Sequence, residues 1–216
     1  MDNLITIDGP GGSGKGTVAK LLAAKLGWNI LDSGALYRLI ALISENIKET
    51  DPDSIGIELK DKNISFKLKG DQYHLIFDGK DVTDTIRREE IGIKASDLAH
   101  NQNIRDLIKD TQRSFYDPNI GLIADGRDMG TVIFTDAKYK IFLTASAEER
   151  AKRRQTQLKR QGLEVNMRPL LQELKDRDRK DTEREHSPLI PAVDSVVIDT
   201  SNLNPEGVVK EIKTYL

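Results

Sequence analysis

The chain has 216 residues, 31% of them charged and 5% aromatic, with a formal net charge of −2 and no cysteine. This suits one ordinary domain with an added lobe, and it excludes a disulfide frame, a thiolate metal site and the broad basic footprint of a nucleic-acid binder. No apolar stretch approaches the roughly 18 residues of a membrane span, and a first strand by Leu4 leaves no room for a leader, so a cytoplasmic protein is expected.

The apolar run Leu4–Asp8 reads as a buried strand, and Gly9-Pro10-Gly11-Gly12-Ser13-Gly14-Lys15-Gly16-Thr17 follows it directly. Gly9 to Lys15 fits the spacing G-x-x-x-x-G-K of a loop whose backbone N–H groups surround phosphates, with the lysine adding charge for the outer ones. A helix should open near Lys15, because Val18, Leu21, Leu22 and Leu26 fall at helical spacing and Gly27 stands where such a helix ends. Its free N–H groups and positive dipole end favour the same anion. The segment is a nucleoside triphosphate cradle. Gly16 occupies the place where a Ser or Thr hydroxyl normally holds magnesium, and after Lys15 a hydroxyl comes only at Thr17, one residue later. How the metal is held stays open.

Trp28–Leu31 is a second short apolar run and leads into Asp32-Ser33-Gly34. From about Asp51 to Phe115 the rhythm changes. Ile64–Leu68 alternates with period two, Lys69-Gly70-Asp71 reads as a turn, and Tyr73–Phe77 returns to Asp78-Gly79, a hairpin pattern. Helical patterns follow around Ile91–Leu98 and Ile104–Phe115.

Leu122–Ala124, Ile141–Leu143 and Val196–Ile198 complete a set of five buried strands, most of them separated by helical patterns. The expected architecture is α/β: a doubly wound five-stranded parallel sheet of the P-loop type, with a core of residues 1–50 and 116–216 and an α+β lobe inserted at about 51–115. Ser146 and Glu149 form a capping box for a helix that Gly162 should end, and a second helix should open near Pro169. The stretch at about 155–168 joining them is a candidate helical lid. The strand ends carry Asp8-Gly9, Asp32-Ser33-Gly34, Asp125-Gly126-Arg127-Asp128 and Asp199-Thr200-Ser201, and ligands in such sheets bind beyond the strand C-termini.

A triphosphate loop alone does not separate a kinase from a switch. Transfer between two phosphates needs cations around both, and guanidinium forks suit phosphate oxygens. Arg38 and Arg127 follow strands two and three, while Arg150, Arg153, Arg154 and Gln157 share one face of the first C-terminal helix. Leu174, Arg177, Asp181 and Arg184 form a stripe on the second. Asp125 ends a strand where a carboxylate holds magnesium through water, its alternative being a helix cap. His74, His100 and His186 are scattered without acidic partners at ligand spacing and read as surface residues. A guanine-nucleotide switch is the competing class, but there is no N-K-x-D string. The nearest, Asp178-Arg179-Lys180-Asp181, lies on an expected helix.

GPGGSGKGT, DSGALYR (Asp32–Arg38), LIADGRDMG (Leu122–Gly130), KIFLTASAEERAKRR (Lys140–Arg154) and DRDRKDTERE (Asp176–Glu185), in that order, resemble the bacterial cytidylate kinases across essentially the whole chain. The resemblance implies transfer of the γ-phosphoryl of ATP to CMP or dCMP, with Mg2+, in pyrimidine nucleotide metabolism, and the inserted lobe resembles the family's enlarged monophosphate-binding region. It implies that Gly9 to Thr17 bind ATP, with Lys15, Arg127, Arg153 and Arg154 as the catalytic cations. It further implies that Ser33, Tyr37 and Arg38 contact the acceptor nucleotide, Arg38 and Arg127 at its phosphate. Asp128, Ser96, Arg105 and Arg184 would read the cytosine edge, and Arg177 and Asp181 would hold the sugar hydroxyls. A monomer working on small molecules, with no nucleic-acid or membrane partner, is expected.

Overall fold

The computed structural model describes residues 1–69, 72–160 and 162–216. Strand β1 (Leu4–Asp8) is buried throughout and feeds the phosphate loop, after which α1 (Lys15–Leu26) runs to a left-handed Gly27. Strand β2 (Asn29–Asp32) ends on Asp32, whose carboxylate accepts from Ala35 N at 2.9 Å and so starts α2 (Ser33–Ile47). The insertion begins with α3 (Pro52–Leu59), capped by Asp51 with Pro52 in its first turn. Antiparallel strands β3 (Ile64–Lys69), β4 (Gln72–Phe77) and β5 (Lys80–Asp81) form a small sheet, followed by α4 (Thr83–Ile86), α5 (Glu89–Leu98) and α6 (Gln102–Ser114). The turn expected at Gly70-Asp71 lies outside the described residues, as does Gln161 within the expected lid.

Strand β6 (Leu122–Asp125) is followed by a π-helical turn at Met129–Ile133, in which Ile133 N and Phe134 N reach back five residues to Asp128 O and Met129 O. Strand β7 (Tyr139–Thr144) leads through Ser146 into α7 (Ala147–Arg160), and the Ser146 hydroxyl accepts from Glu149 N at 3.2 Å. Helix α8 (Met167–Glu183) is capped by Asn166, so the connecting stretch is shorter than 155–168: residues 155–160 continue α7. Strand β8 (Val196–Asp199), α9 (Pro205–Ile212) and a 3₁₀ turn at Lys213–Tyr215 complete the chain.

The five parallel strands lie in the order β2-β6-β1-β7-β8. Alternating strand residues feed two cores. Leu4, Leu31, Leu122 and Ala124 face α2, and the inserted segment adds Ile55, Ile86, Ile91, Ile104 and Ile108 to the same cluster. Ile5, Ile7, Ile30 and Ile123 face α1 and α9 with Val18, Leu22 and Val209. This is the doubly wound sheet that the short apolar runs require, with the central strands β1 and β6 buried on both sides. Edge strand β8, expected to be buried, buries Ile198 and leaves Val197 exposed. It brings the C-terminal ends of β1, β2 and β6 side by side, with Ile7 and Asp32 both in register with Asp125.

Candidate active site

The loop from Gly9 to Thr17 leaves β1 with Gly9 at φ 144, and a Cβ there would lie 2.0 Å from the carbonyl oxygen of Leu143. Only glycine lets the loop cross β7 so closely. Lys15 Nζ donates to Pro10 O at 2.9 Å, crossing the loop's mouth. Burial lowers the Lys15 pKa to about 8, against the opposing pull of Asp125. Arg150 Nη1 donates to Gly11 O at 3.1 Å, and its guanidinium grips Asp178 of α8 in two bonds of 2.9 and 2.5 Å. Arg153 donates to Ser13 O at 3.3 Å and to Thr200 Oγ1 and O at 3.0 and 2.5 Å, while Thr200 Oγ1 itself donates to Ser13 O at 2.9 Å. Thus α7 and the end of β8 brace the loop from outside.

Asp125 stands at the foot of α1. A Cβ on Gly16 would lie 3.2 Å from Asp125 Oδ2, so the carboxylate occupies the space beside the residue that has lost its hydroxyl. Burial pushes the Asp125 pKa up to about 7, partly offset by Lys15. It does not cap a helix; the turn after it is secured by Asp8, whose carboxylate accepts from Met129 N and Gly130 N, both at 2.8 Å. Among the described residues no cluster of three or more His, Asp or Glu is spaced to hold a metal. A single carboxylate beside Gly16, with the Asp8 carboxylate taken up by Met129 N and Gly130 N, suits a hard cation that keeps most of its waters and takes its remaining oxygens from phosphates.

A cavity of about 70 Å3 lies beyond the ends of β2 and β6, and all ten residues expected at the acceptor line it. Ser33, Tyr37 and Arg38 come from α2, Ser96 from α5, Arg105 from α6, and Arg127 and Asp128 from the turn after β6. Arg177 and Asp181 reach in from α8, with Arg184 immediately past its end. Arg105 and Asp128 form a buried ion pair, and the Arg105 guanidinium lies 5.9 Å from the centre of the Tyr37 ring. Arg127 Nε donates to Asp181 Oδ2 at 2.5 Å. Arg38 is anchored on Ile86 O at 2.9 Å.

The electrostatics are those of crowded cations. The positive charge of Arg127, followed by burial, lowers the Arg177 pKa to about 10, and burial lowers those of Arg38 and Arg184. Burial works against the charge on Arg127 too, yet the Asp181 carboxylate holds its pKa above the ordinary value. Arg105 Nε, Arg177 Nε and Arg184 Nη2 are buried with no hydrogen-bond partner among the described residues. Three unsatisfied guanidinium donors around one cavity are a site built for an anionic, hydrogen-bonding ligand.

A second, wider cavity of about 660 Å3 lies between α1, β2 and the small sheet, lined among others by Thr17, Asp125 and Arg154. Gly34 and Arg38 line both cavities, so Arg38 stands at the junction between the loop side and the acceptor side. Arg154 bonds Gln157 at 3.1 Å and is exposed, unlike Arg153. His74 has an acidic partner after all, Asp81 at 2.8 Å across the small sheet, and His100 bonds Ser96 O.

Sequence reasoning did not find Gly34, Gly92, Ala95, Ala99 and Gly126 in the cavity wall, nor Gln112, which donates to Ser33 Oγ at 2.9 Å. The small residues carry no chemical signal. Gln112 does lie on the α6 face of Arg105, seven residues on, a spacing readable once that helix is placed.

The family model for cytidylate kinase matches residues 5–216. The cytidylate kinase of Stutzerimonas stutzeri (strain A1501) is 48% identical over 213 residues, covering 97% of this chain and 93% of that protein. That of Azotobacter vinelandii (strain DJ / ATCC BAA-1303) is 47% identical over 217 residues, covering 99% and 94%. Among solved structures, shikimate kinase from Acinetobacter baumannii aligns over 100% of this chain and 93% of its own at 16% identity, with a TM-score of 0.48, too distant to bear on function. With its motifs in order and nearly its whole length matched, the chain belongs to the cytidylate kinase family.

Proposed function

We propose that the chain transfers the γ-phosphoryl of ATP to the phosphate of CMP or dCMP, yielding ADP and CDP or dCDP. The observation that carries this reading is the convergence of all ten acceptor-side residues on one cavity next to the phosphate loop. The backbone N–H groups of Gly9 to Thr17 hold the triphosphate, and Lys15 moves from Pro10 O onto its outer oxygens. Arg38 and Arg127 hold the acceptor phosphate, Arg177 and Asp181 the sugar. Ser33 contacts the base from the α2 side, and Asp128, with Ser96, Arg105 and Arg184, reads its edge. Tyr37 backs the Arg105 guanidinium.

The attacking atom is an anionic phosphate oxygen, so no strong general base is needed; the bond from the γ-phosphorus to the β–γ bridging oxygen breaks as the new P–O bond forms, and ADP leaves with that oxygen. Catalysis is then positioning and charge neutralisation by Lys15, Arg127, Arg153 and Arg154. Asp125 would hold Mg2+ through water, and the bound ion would supply charge neutralisation at the phosphates. Movement of residues 162–166, ahead of α8, shields the junction from water.

No helix among the described residues is long and apolar enough to cross a membrane. The same proposal makes the chain a cytoplasmic monomer acting on small molecules. Steady-state ADP release measured across CMP, dCMP, UMP, AMP and GMP tests the function. Turnover concentrated on CMP and dCMP is expected. ATP consumption at one slow rate regardless of acceptor excludes it.

A further inference from the structure

Gln112 is 1% exposed, on the face of α6 that buries Ile104, Arg105 and Ile108. A buried amide costs free energy unless it is hydrogen-bonded, and an aliphatic side chain would fill this core position more cheaply. Its one hydrogen bond among the described residues is to Ser33 Oγ, 79 positions away in sequence, and its Oε1 has no partner. The amide N–H donates and the serine oxygen accepts. A serine hydroxyl has one proton to give and two lone pairs. With one lone pair taken by Gln112, the Ser33 proton is left for the cavity that Ser33 lines.

We infer that Gln112 is a positioning residue that fixes Ser33 as a hydrogen-bond donor, and thereby makes the site prefer cytosine to uracil. This rests on the base-reading arrangement proposed above. The Asp128 carboxylate, an acceptor, lines the same cavity. A donor and an acceptor on one cavity wall complement N3 and the exocyclic amino group of cytosine. Uracil presents the reverse, an N3–H donor beside the O4 acceptor, and leaves both protein groups unpaired. Sites that hydrogen-bond a substrate edge reject analogues lacking the match far more strongly than apolar pockets do.

The test is the ratio of kcat/KM for CMP to that for UMP in the full-length enzyme. Gln112→Glu puts an acceptor against Ser33, claims its proton and turns a lone pair to the cavity. The ratio is expected to fall at least about tenfold, mainly through KM for CMP. Ser33→Ala lowers it comparably, and Gln112→Glu added to Ser33→Ala lowers it no further. Should the buried carboxylate prevent folding, Gln112→Met, which keeps the shape and removes the donor, is expected to lower the ratio about threefold with little change in melting temperature. A folded Gln112→Glu enzyme whose ratio stays within about twofold of wild type overturns the inference, as does an unchanged ratio in Gln112→Met if only that variant folds, or fully additive losses in the double variant. A wild-type enzyme without preference for CMP over UMP defeats the base-reading arrangement itself, and this inference with it.

Discussion

Arg127 Nε and Asp181 Oδ2 lie 2.5 Å apart, joining the turn after β6 to the last turn of α8. The pair lets Arg127 sit buried in a crowd of guanidinium groups: burial works against its charge, and Asp181, joined by Asp125 and Asp128, holds its pKa above the ordinary value. On the proposed function, Arg127→Ala removes the cation from the acceptor phosphate as well as the partner of Asp181. Turnover is expected to fall roughly 10²- to 10³-fold, as for loss of one preorganised transition-state donor. Steady-state kcat beside a melting curve checks this: lower stability with unchanged kcat leaves Arg127 a purely structural role.

For Asp128 the proposed role is recognition. Its carboxylate is paired with Arg105 in the cavity wall, so Asp128→Ala takes away an acceptor and leaves Arg105 uncompensated. KM for CMP is expected to rise by at least about tenfold and the preference over UMP to narrow, with kcat changed much less. Near-normal selectivity in this variant removes Asp128 from base reading.

Lys15 yields a pH dependence with a definite sign. In the free protein, burial favours the neutral amine and brings the pKa to about 8. The phosphates of ATP favour the cation. Below that pKa the amine is already protonated and binding takes up no proton; above it, binding must supply one, and affinity falls by up to about tenfold per pH unit. Calorimetric titration of ATP at pH 8.5 in buffers of differing ionisation heat should show proton uptake, which Lys15→Arg abolishes. A dissociation constant flat from pH 7 to 9.5 contradicts this account.

Arg150 and Asp178 lock α7 to α8, and the same guanidinium reaches Gly11 O in the phosphate loop. Breaking a pair of which one member is fully buried is costly, because the remaining charge is stranded. Asp178→Ala is expected to destabilise the fold by about 2–3 kcal/mol and to weaken ATP binding, since Arg150 then pulls on the loop unrestrained. Urea unfolding and ATP titration measure the two effects; stability lost without any change in affinity disconnects the helix pair from the loop.

Much of the scaffold was readable from local pattern. The five parallel strands, the hairpin of the insertion, α1 and the capped start of α7 each announce themselves within a few residues, through apolar period, glycine placement or a capping pair. Trp28 was expected in β2 and lies just before it, and α3, α4, α9 and the third strand of the small sheet carried too weak a period to be seen. The π-helical turn at Met129–Ile133 has no sequence signature of its own; two hydrogen bonds from its N–H groups to Asp8, 121 and 122 positions earlier, secure it.

Motif residues near strand ends, such as Ser33, Arg38, Arg127 and Asp128, fall where the parallel sheet must open, so their convergence follows from topology. Which of them hold each other does not. Arg105 with Asp128, Arg127 with Asp181 and Gln112 with Ser33 are separated by 23, 54 and 79 positions. Helix period and turn chemistry act over a handful of residues, and hence survive in the linear order. Hydrogen-bond polarity and charge compensation between distant segments depend on where packing of α6 and α8 against the sheet sets them down, and only the folded chain decides that.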